Sequence, residues 1–158
     1  MRKKTTLALI LMMNLACAMA QKTGTTGPLS WNYNETSKEL TITGNGAMPN
    51  YDYGAAPWQE YQEGIETVNV GSGVTSIGNN AFCNCIYMTT LSLPAGMETI
   101  GDNAFSYCLS ITSAELPGTI TKIGESAFEG CTSLESIALP EELAVSYTHL
   151  RAHETSAH

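Results

Sequence analysis

Hydrophobic and polar positions recur with a period of 23 residues between residues 74 and 140. Residues 74–94 read VTSIGNNAFCNCIYMTTLSLP, residues 97–117 read METIGDNAFSYCLSITSAELP, and residues 120–140 read ITKIGESAFEGCTSLESIALP. Seven columns hold the same residue in every copy, and their first members are Ile77, Gly78, Ala81, Phe82, Cys85, Leu93 and Pro94. A period of this length indicates stacked repeats, each too small to bury its apolar face alone.

One short strand is predicted near the end of each repeat. Met88, Leu91 and Leu93 follow an L-x-x-L-x-L pattern whose last four residues alternate as a strand does. Pro94 then ends the strand, because proline has no N–H to give to a neighbouring strand. The shared phase predicts that three columns are buried: Ile77, Ile100 and Ile123; Phe82, Phe105 and Phe128; and Leu93, Leu116 and Leu139.

A second extended segment and a helical turn are predicted in the first half of each repeat. Val74 and Ile77 point inward, and Gly78 at the corner indicates a backbone conformation that a residue with a Cβ cannot adopt. One polar column then suits the N-cap of a single helical turn that carries the phenylalanine inward. Its members are Asn80, Asn103 and Ser126.

The cysteines fall into one column and one extra position. Cys85, Cys108 and Cys131 share a column, whereas Cys83 aligns with Ser106 and Glu129 and is therefore expected to face water. We predict a buried, unpaired ladder of thiols, because side chains of one column point the same way and a disulfide needs them to converge. A disulfide and a zinc site are the alternatives, and the repeats offer no histidine for zinc.

The N-terminal part has two distinct segments. Basic residues followed by an apolar run and an A-x-A site predict a secretory signal peptide over residues 1–20. Lipid attachment at Cys17 is the alternative. Residues 21–64 form a predicted capping segment, in which Trp31 with Tyr33 and Leu40 with Ile42 suggest a β-hairpin. This hairpin would cover the open end of the stack.

The C-terminal residues break the repeat. The column pattern asks for isoleucine at position 146 and glycine at 147, where the chain has Ser146 and Tyr147. Residues 144–158 hold all three histidines and resemble a translated library-adapter sequence, so we expect a non-native tail beyond repeats that cover residues 65–143. A histidine-rich metal tail is the alternative.

Charge and composition exclude several function classes. Removing residues 1–20 takes away three of the seven basic residues and none of the fifteen acidic ones, so the remainder has a formal charge of −11. Nucleic acid is therefore not an expected partner, because phosphate binding draws on Lys and Arg. Beyond the signal segment, no apolar run reaches the ~20 residues that a membrane span needs.

The repeat motifs resemble the BspA-type leucine-rich repeat of bacterial surface and secreted proteins. That family combines L-x-x-I-x-L-P with V-x-x-I-G-x-x-A-F-x-x-C, and the resemblance covers residues 65–143. It implies an α/β fold, a right-handed leucine-rich-repeat β-solenoid or horseshoe with 23-residue coils, here with a small N-terminal β-hairpin cap. It also implies adhesion or ligand binding without catalysis.

We therefore expect a protein, secreted or at the outer cell surface, that binds a host or bacterial surface protein or a glycan. Catalytic residues, metals and cofactors are not expected, because the repeats lack histidine and the motifs of common enzymes. A structural spacer and a non-catalytic module of a larger secreted enzyme are the alternatives. Strand alternation turns six small residues outward as the candidate binding surface: Thr90, Ser92, Ser113, Glu115, Ser136 and Ala138.

Overall fold

The computed structural model describes residues 21–140 and residue 143. Their elements follow in the order β1 Gln21–Thr26, β2 Leu29–Asn34, β3 Glu39–Gly44, β4 Gly46–Ala47, the 3-10 helix η1 Gln59–Gly64, β5 Thr67–Val70, β6 Val74–Ile77, β7 Thr90–Ser92, β8 Thr99–Ile100, β9 Ser113–Glu115, β10 Lys122–Ile123 and β11 Ser136–Ala138. The fold is mostly β, and these residues contain no α-helix. The expected α/β class is therefore wrong.

Successive repeats lie side by side as parallel strands. In one row β5 pairs with β7 and β9 pairs with β11, so that Thr67 faces Thr90 and Ser113 faces Ser136. In the other row β6, β8 and β10 pair in turn. Each pairing joins residues 23 positions apart, as the sequence period predicts. We call the first row, β5, β7, β9 and β11, the strand side of the stack.

The predicted hairpin is present and continues into the stack. Strands β2 and β3 are antiparallel, with Trp31 opposite Ile42 and Tyr33 opposite Leu40. Strand β1 adds to the outer edge of this hairpin. Strand β3 also pairs in parallel with β5, and β4 with β6, both 28 residues apart. The N-terminal segment thus contributes one strand to each row and acts as a longer first repeat.

The segments 78–85, 101–108 and 124–131, here called the turn segments, connect the two rows. Their backbone N–H groups alternate between two kinds of partner. The N–H groups of Asn80, Phe82 and Asn84 donate to carbonyls of the following repeat at 2.8–2.9 Å. Those of residues 81, 83 and 85 donate three residues back within the same segment, at 3.2–3.4 Å. The turn segments are therefore linked to their neighbours as closely as strands are.

Two predictions about these segments were wrong. The expected N-cap column, Asn80, Asn103 and Ser126, has φ values of 53–55° and begins no helix. Its members occupy the left-handed region, which asparagine tolerates better than most residues. Gly78 and its column do not adopt a positive φ. Glycine is needed there for space instead, because a Cβ on Gly78 would lie 1.8 Å from the Pro49 carbonyl oxygen.

An aromatic stack runs through the interior along the repeats. The phenylalanine rings of residues 82, 105 and 128 have centroids 5.4 and 5.2 Å apart and planes within 19° of parallel. Trp58 extends the stack, since its ring lies 5.4 Å from that of Phe82. Its indole N–H donates to the Ala81 carbonyl at 2.8 Å. In later repeats the backbone N–H of a phenylalanine fills this role, as Phe82 does for the carbonyl of Ala104.

The predicted buried columns are confirmed on the turn side and only in part on the strand side. The isoleucine column at 77, 100 and 123 and the phenylalanine column are at most 2% exposed. In the leucine column only Leu116 is buried, while Leu93 is half-buried and Leu139 is 42% exposed.

The thiols are free and mostly buried, as predicted for the ladder. Cys85 and Cys108 are buried, but Cys131 is only partly so. Cys108 donates its S–H to the Phe82 carbonyl at 3.2 Å. The expectation that Cys83 faces water was wrong, because it is 2% exposed and its Sγ lies 3.1 Å from Ser106 Oγ. The polar residue above it in the column covers it.

Burial also governs the chemistry of these thiols. It raises the pKa of the Cys85 thiol to about 12, with a smaller contribution from the nearby Cys83. It raises the pKa of Cys131 to about 11, and that of Cys108 well above its ordinary value. The thiolate is the reactive form of cysteine, so these side chains are chemically quiet near neutral pH.

Several expectations lie outside the described residues. These are the signal segment 1–20 with Cys17, and the tail 144–158 with Ser146, Tyr147 and the three histidines. Within residues 21–140, no helix is long and apolar enough to cross a membrane.

Candidate binding surface

The structure places all six predicted surface residues on the strand side, with their side chains in solvent. Thr90 and Ser92 lie on β7, Ser113 and Glu115 on β9, and Ser136 and Ala138 on β11, and each is exposed. The residue between each pair points inward, as strand alternation requires. We call the surface formed by these six side chains the strand face.

The strand face is divided between two hydrogen-bonded sheets. Strand β7 belongs to a five-stranded sheet of order β1-β2-β3-β5-β7, whereas β9 and β11 form a separate pair. Strands β7 and β9 are in contact, but no ladder of hydrogen bonds joins them. The single contiguous sheet that the alternation predicted is therefore interrupted at this point.

The same surface extends beyond the six predicted residues. Thr67 and Asn69 on β5 lie opposite Thr90 and Ser92, and Thr41 on β3 lies opposite Asn69. Sequence reasoning missed these three residues. The half repeat at Ile65, Val68 and Val70 was a sufficient signal for the two on β5. Thr41 could not be placed, because the 28-residue offset of β3 differs from the period of the repeats.

The chemistry of the extended surface is that of small hydrogen-bonding groups. Hydroxyls of serine and threonine and the Asn69 amide stand on strands ~4.8 Å apart, each able to donate and accept hydrogen bonds. Two carboxylates interrupt this pattern, Glu115 on β9 and Glu39 on β3, and Glu39 accepts a hydrogen bond from the Asn69 side chain. Such a surface offers many weak polar contacts.

A metal centre is not formed by the described residues. Within residues 21–140 and 143, no group of three or more His, Cys, Asp or Glu side chains could hold a metal ion. The carboxylates Asp102 and Glu125 have a structural arrangement instead. Asp102 Oδ1 accepts the Glu125 N–H at 2.8 Å, and Asn79 Oδ1 accepts the Asp102 N–H at 2.9 Å. These side chains link the turn segments to one another.

Parallel strands at a constant 23-residue offset, backed by buried columns, define a leucine-rich repeat fold. The family model for the BspA type leucine rich repeat region (6 copies) matches residues 60–152, more than half of the chain. The chain therefore belongs to the BspA-type leucine-rich repeat family. The match extends past residue 143 into the segment expected to be a non-native tail.

Solved structures of bacterial leucine-rich repeat proteins share the fold. One from Eubacterium ventriosum superposes with a TM-score of 0.63 and 28% identity, over 80% of this chain and 40% of that one. The T. pallidum Leucine Rich Repeat protein superposes with a TM-score of 0.54 and 24% identity, over 78% of this chain and 64% of that one. This chain thus spans less than two thirds of either relative. No curated protein matches it.

Proposed function

We propose that this chain is a binding module, secreted or at the outer cell surface, that takes a surface protein or a glycan on its strand face without catalysing a reaction. The coarser part of this statement, a bacterial leucine-rich repeat protein, rests on the family match. We further propose that the stacked repeats form a right-handed solenoid of the horseshoe type.

The observation that carries the proposal is the extent of the outward polar surface. It runs from Thr41 on β3 through Thr67 and Thr90 to Ser113 and Ser136, across five strands of the stack. Its side chains are small, so the surface offers area for contact more readily than a pocket does. A ligand would bind there through many shallow contacts, and single substitutions would change its affinity little.

Location outside the cell is supported by the N-terminal sequence. Residues 1–20 combine basic residues, an apolar run and a small-residue cleavage site, which is typical of a secretory signal. Lipid attachment at Cys17 would keep the same chain at the membrane surface.

A spacer, or a non-catalytic module of a larger secreted enzyme, is the second candidate. It is favoured by one observation, that the chain covers 40% of the Eubacterium ventriosum protein and 64% of the T. pallidum protein. A spacer would present the strand face without using it, so a binding experiment separates the two functions.

The test screens the chain against arrays of host and bacterial surface proteins and glycans, and then asks which face holds any ligand found. Ser113→Arg with Ser136→Arg places bulk and charge in the middle of the strand face. Ala95→Arg with Thr121→Arg adds the same charge at exposed positions outside it. The proposal predicts at least a tenfold loss of affinity in the first variant and little change in the second. Unchanged affinity in a folded first variant would exclude the strand face.

A further inference from the structure

The largest exposed apolar side chains of the described residues lie mostly on the turn side, away from the strand face. Tyr53, Tyr87, Tyr107 and Leu109 are 72%, 55%, 49% and 38% exposed, respectively. Three of the four are tyrosines, whose amphipathic rings are enriched where proteins meet partners. We call these four residues the tyrosine edge.

Hydrogen bonds order the tyrosine edge along the stack. The Asn84 side chain donates from Nδ2 to the Tyr53 hydroxyl at 2.6 Å, which ties the loop before η1 to the first turn segment. The Asn84 N–H donates to the Ser106 carbonyl at 2.9 Å, so Tyr107 lies one repeat further on. Ser110 donates its hydroxyl to the Ile86 carbonyl at 2.7 Å, next to Tyr87. The exposed rings thus belong to adjacent repeats.

Tyr107 is held in an unusual conformation. Its φ of 57° lies in the left-handed region, where a bulky side chain is an outlier. Its column in the flanking repeats holds Asn84 and Gly130, residues that suit this region. Gly130 also makes room for the ring, since a Cβ there would lie 2.6 Å from Tyr107 Cδ1. Backbone strain at an exposed aromatic residue points to a use for the ring.

The charge around the tyrosine edge is of one sign. Residues 39–121 contain no lysine or arginine and eight acidic residues. Asp52 precedes Tyr53 and is exposed, and the Glu129 carbonyl accepts the Tyr107 N–H at 2.7 Å. Asp102 and Glu125 lie on the same turn segments. A partner with positive charge would be attracted, and an acidic one repelled.

We propose that the tyrosine edge is a second docking surface, which takes an arginine-containing basic segment of another protein. A guanidinium group lies over the exposed ring of Tyr107 or its neighbours by a cation–π contact, with the carboxylates beside it. Arginine is favoured over lysine, because its flat and weakly hydrated head stacks better on an aromatic ring. This surface is separate from the strand face and does not depend on it.

The test uses labelled peptides of alternating arginine and glycine, and of alternating lysine and glycine, with fluorescence anisotropy as the readout. The variant Tyr87→Ser with Tyr107→Asn removes two rings and introduces only residues that these columns already hold at Ser110 and Asn84. It should weaken binding of the arginine peptide about tenfold. The control Tyr87→Phe with Tyr107→Phe keeps both ring faces and should stay within about twofold of the parent.

The outcomes separate a specific surface from general attraction to an acidic protein. Specific docking predicts tighter binding of arginine than of lysine peptide, and a clear loss in the Ser and Asn variant. Equal binding of both peptides, unchanged in that variant and abolished by salt, would overturn the proposal as non-specific attraction. Binding of a neutral glucan that is lost in the same variant, with no binding of either peptide, would overturn it in favour of a carbohydrate surface.

Discussion

The turn segments and the strand side of this protein stack the same repeats by different means. Along the turn segments, alternate N–H groups donate to the next repeat, and the rings of Phe82, Phe105 and Phe128 continue the contact inside. On the strand side, the ladder stops between β7 and β9, and Leu139 is exposed. The difference teaches that the repeats are held in register chiefly at their turns, which leaves the strand side free to vary its surface.

Removal of one ring from the stack should break the turn side most severely. Phe105→Ala leaves a cavity between two stacked rings in a residue that is 0% exposed. We expect the free energy of unfolding to fall by ~3–5 kcal/mol, as for other buried phenylalanines. Urea titration measures this loss. Ser113→Ala on the strand face is the control and should stay within ~0.5 kcal/mol of the parent. A loss below ~1 kcal/mol for Phe105→Ala would contradict burial of the ring.

The close approach of turn segments is tested by two glycines. A Cβ on Gly101 would lie 2.5 Å from Asn79 Oδ1 and 2.6 Å from the Asn79 backbone nitrogen, whereas a Cβ on Gly118 meets nothing within 4 Å. Gly101→Ala should therefore destabilise the protein by ~1–3 kcal/mol through overpacking. Gly118→Ala should leave it unchanged or slightly more stable. Thermal unfolding of both variants decides the matter, and equal melting temperatures would argue against close packing at Gly101.

The first repeat depends on Trp58 to complete the turn side. Trp58→Phe keeps a ring on the stack but removes the indole N–H that donates to the Ala81 carbonyl. An unsatisfied buried carbonyl costs ~1–3 kcal/mol, so we expect a loss of that size in denaturant titration. If Trp58→Phe were as stable as the parent, the indole hydrogen bond would have no part in joining the N-terminal segment to the repeats.

The thiol column should show the smallest response, because its members are closed to reagent. Alkylation of the folded protein at pH 8 should leave Cys85 and Cys108 unmodified, since both are buried and burial raises the pKa of each thiol. Partly buried Cys131 should react first. In denaturant all four cysteines of the described residues should react. Mass spectrometry reads both samples, and a disulfide between column members would refute the free ladder.

The sequence predicted the regular parts of this comparison better than the irregular ones. The 23-residue period was sufficient to identify the isoleucine and phenylalanine columns, because identical residues at a constant spacing must share one environment. It could not assign the conformation of Asn80, since asparagine suits both an N-cap and a left-handed turn. The burial of Cys83 was missed because its column also holds Ser106 and Glu129.

The candidate surface was predicted in part for a related reason. Alternation identified Thr90 and its five partners as outward-facing, and all six are exposed. Alternation says nothing of whether adjacent strands pair, so the interruption between β7 and β9 had no signal. The tyrosine edge was also missed, because Tyr107 stands in a column whose other members are Asn84 and Gly130. Exposure of its ring became visible only in three dimensions.

Native-state hydrogen exchange measured residue by residue tests the central claim most directly. The amides of Phe82 and Phe105 donate to the carbonyls of Ala104 and Ala127 across buried turn segments. They should exchange only on global unfolding, and so be among the slowest in the protein. Amides of β9 that face β7 have no ladder partner and should exchange at least ~100-fold faster. Equal protection on both sides, or fast exchange at Phe105, would contradict an account in which the turns hold the repeats together.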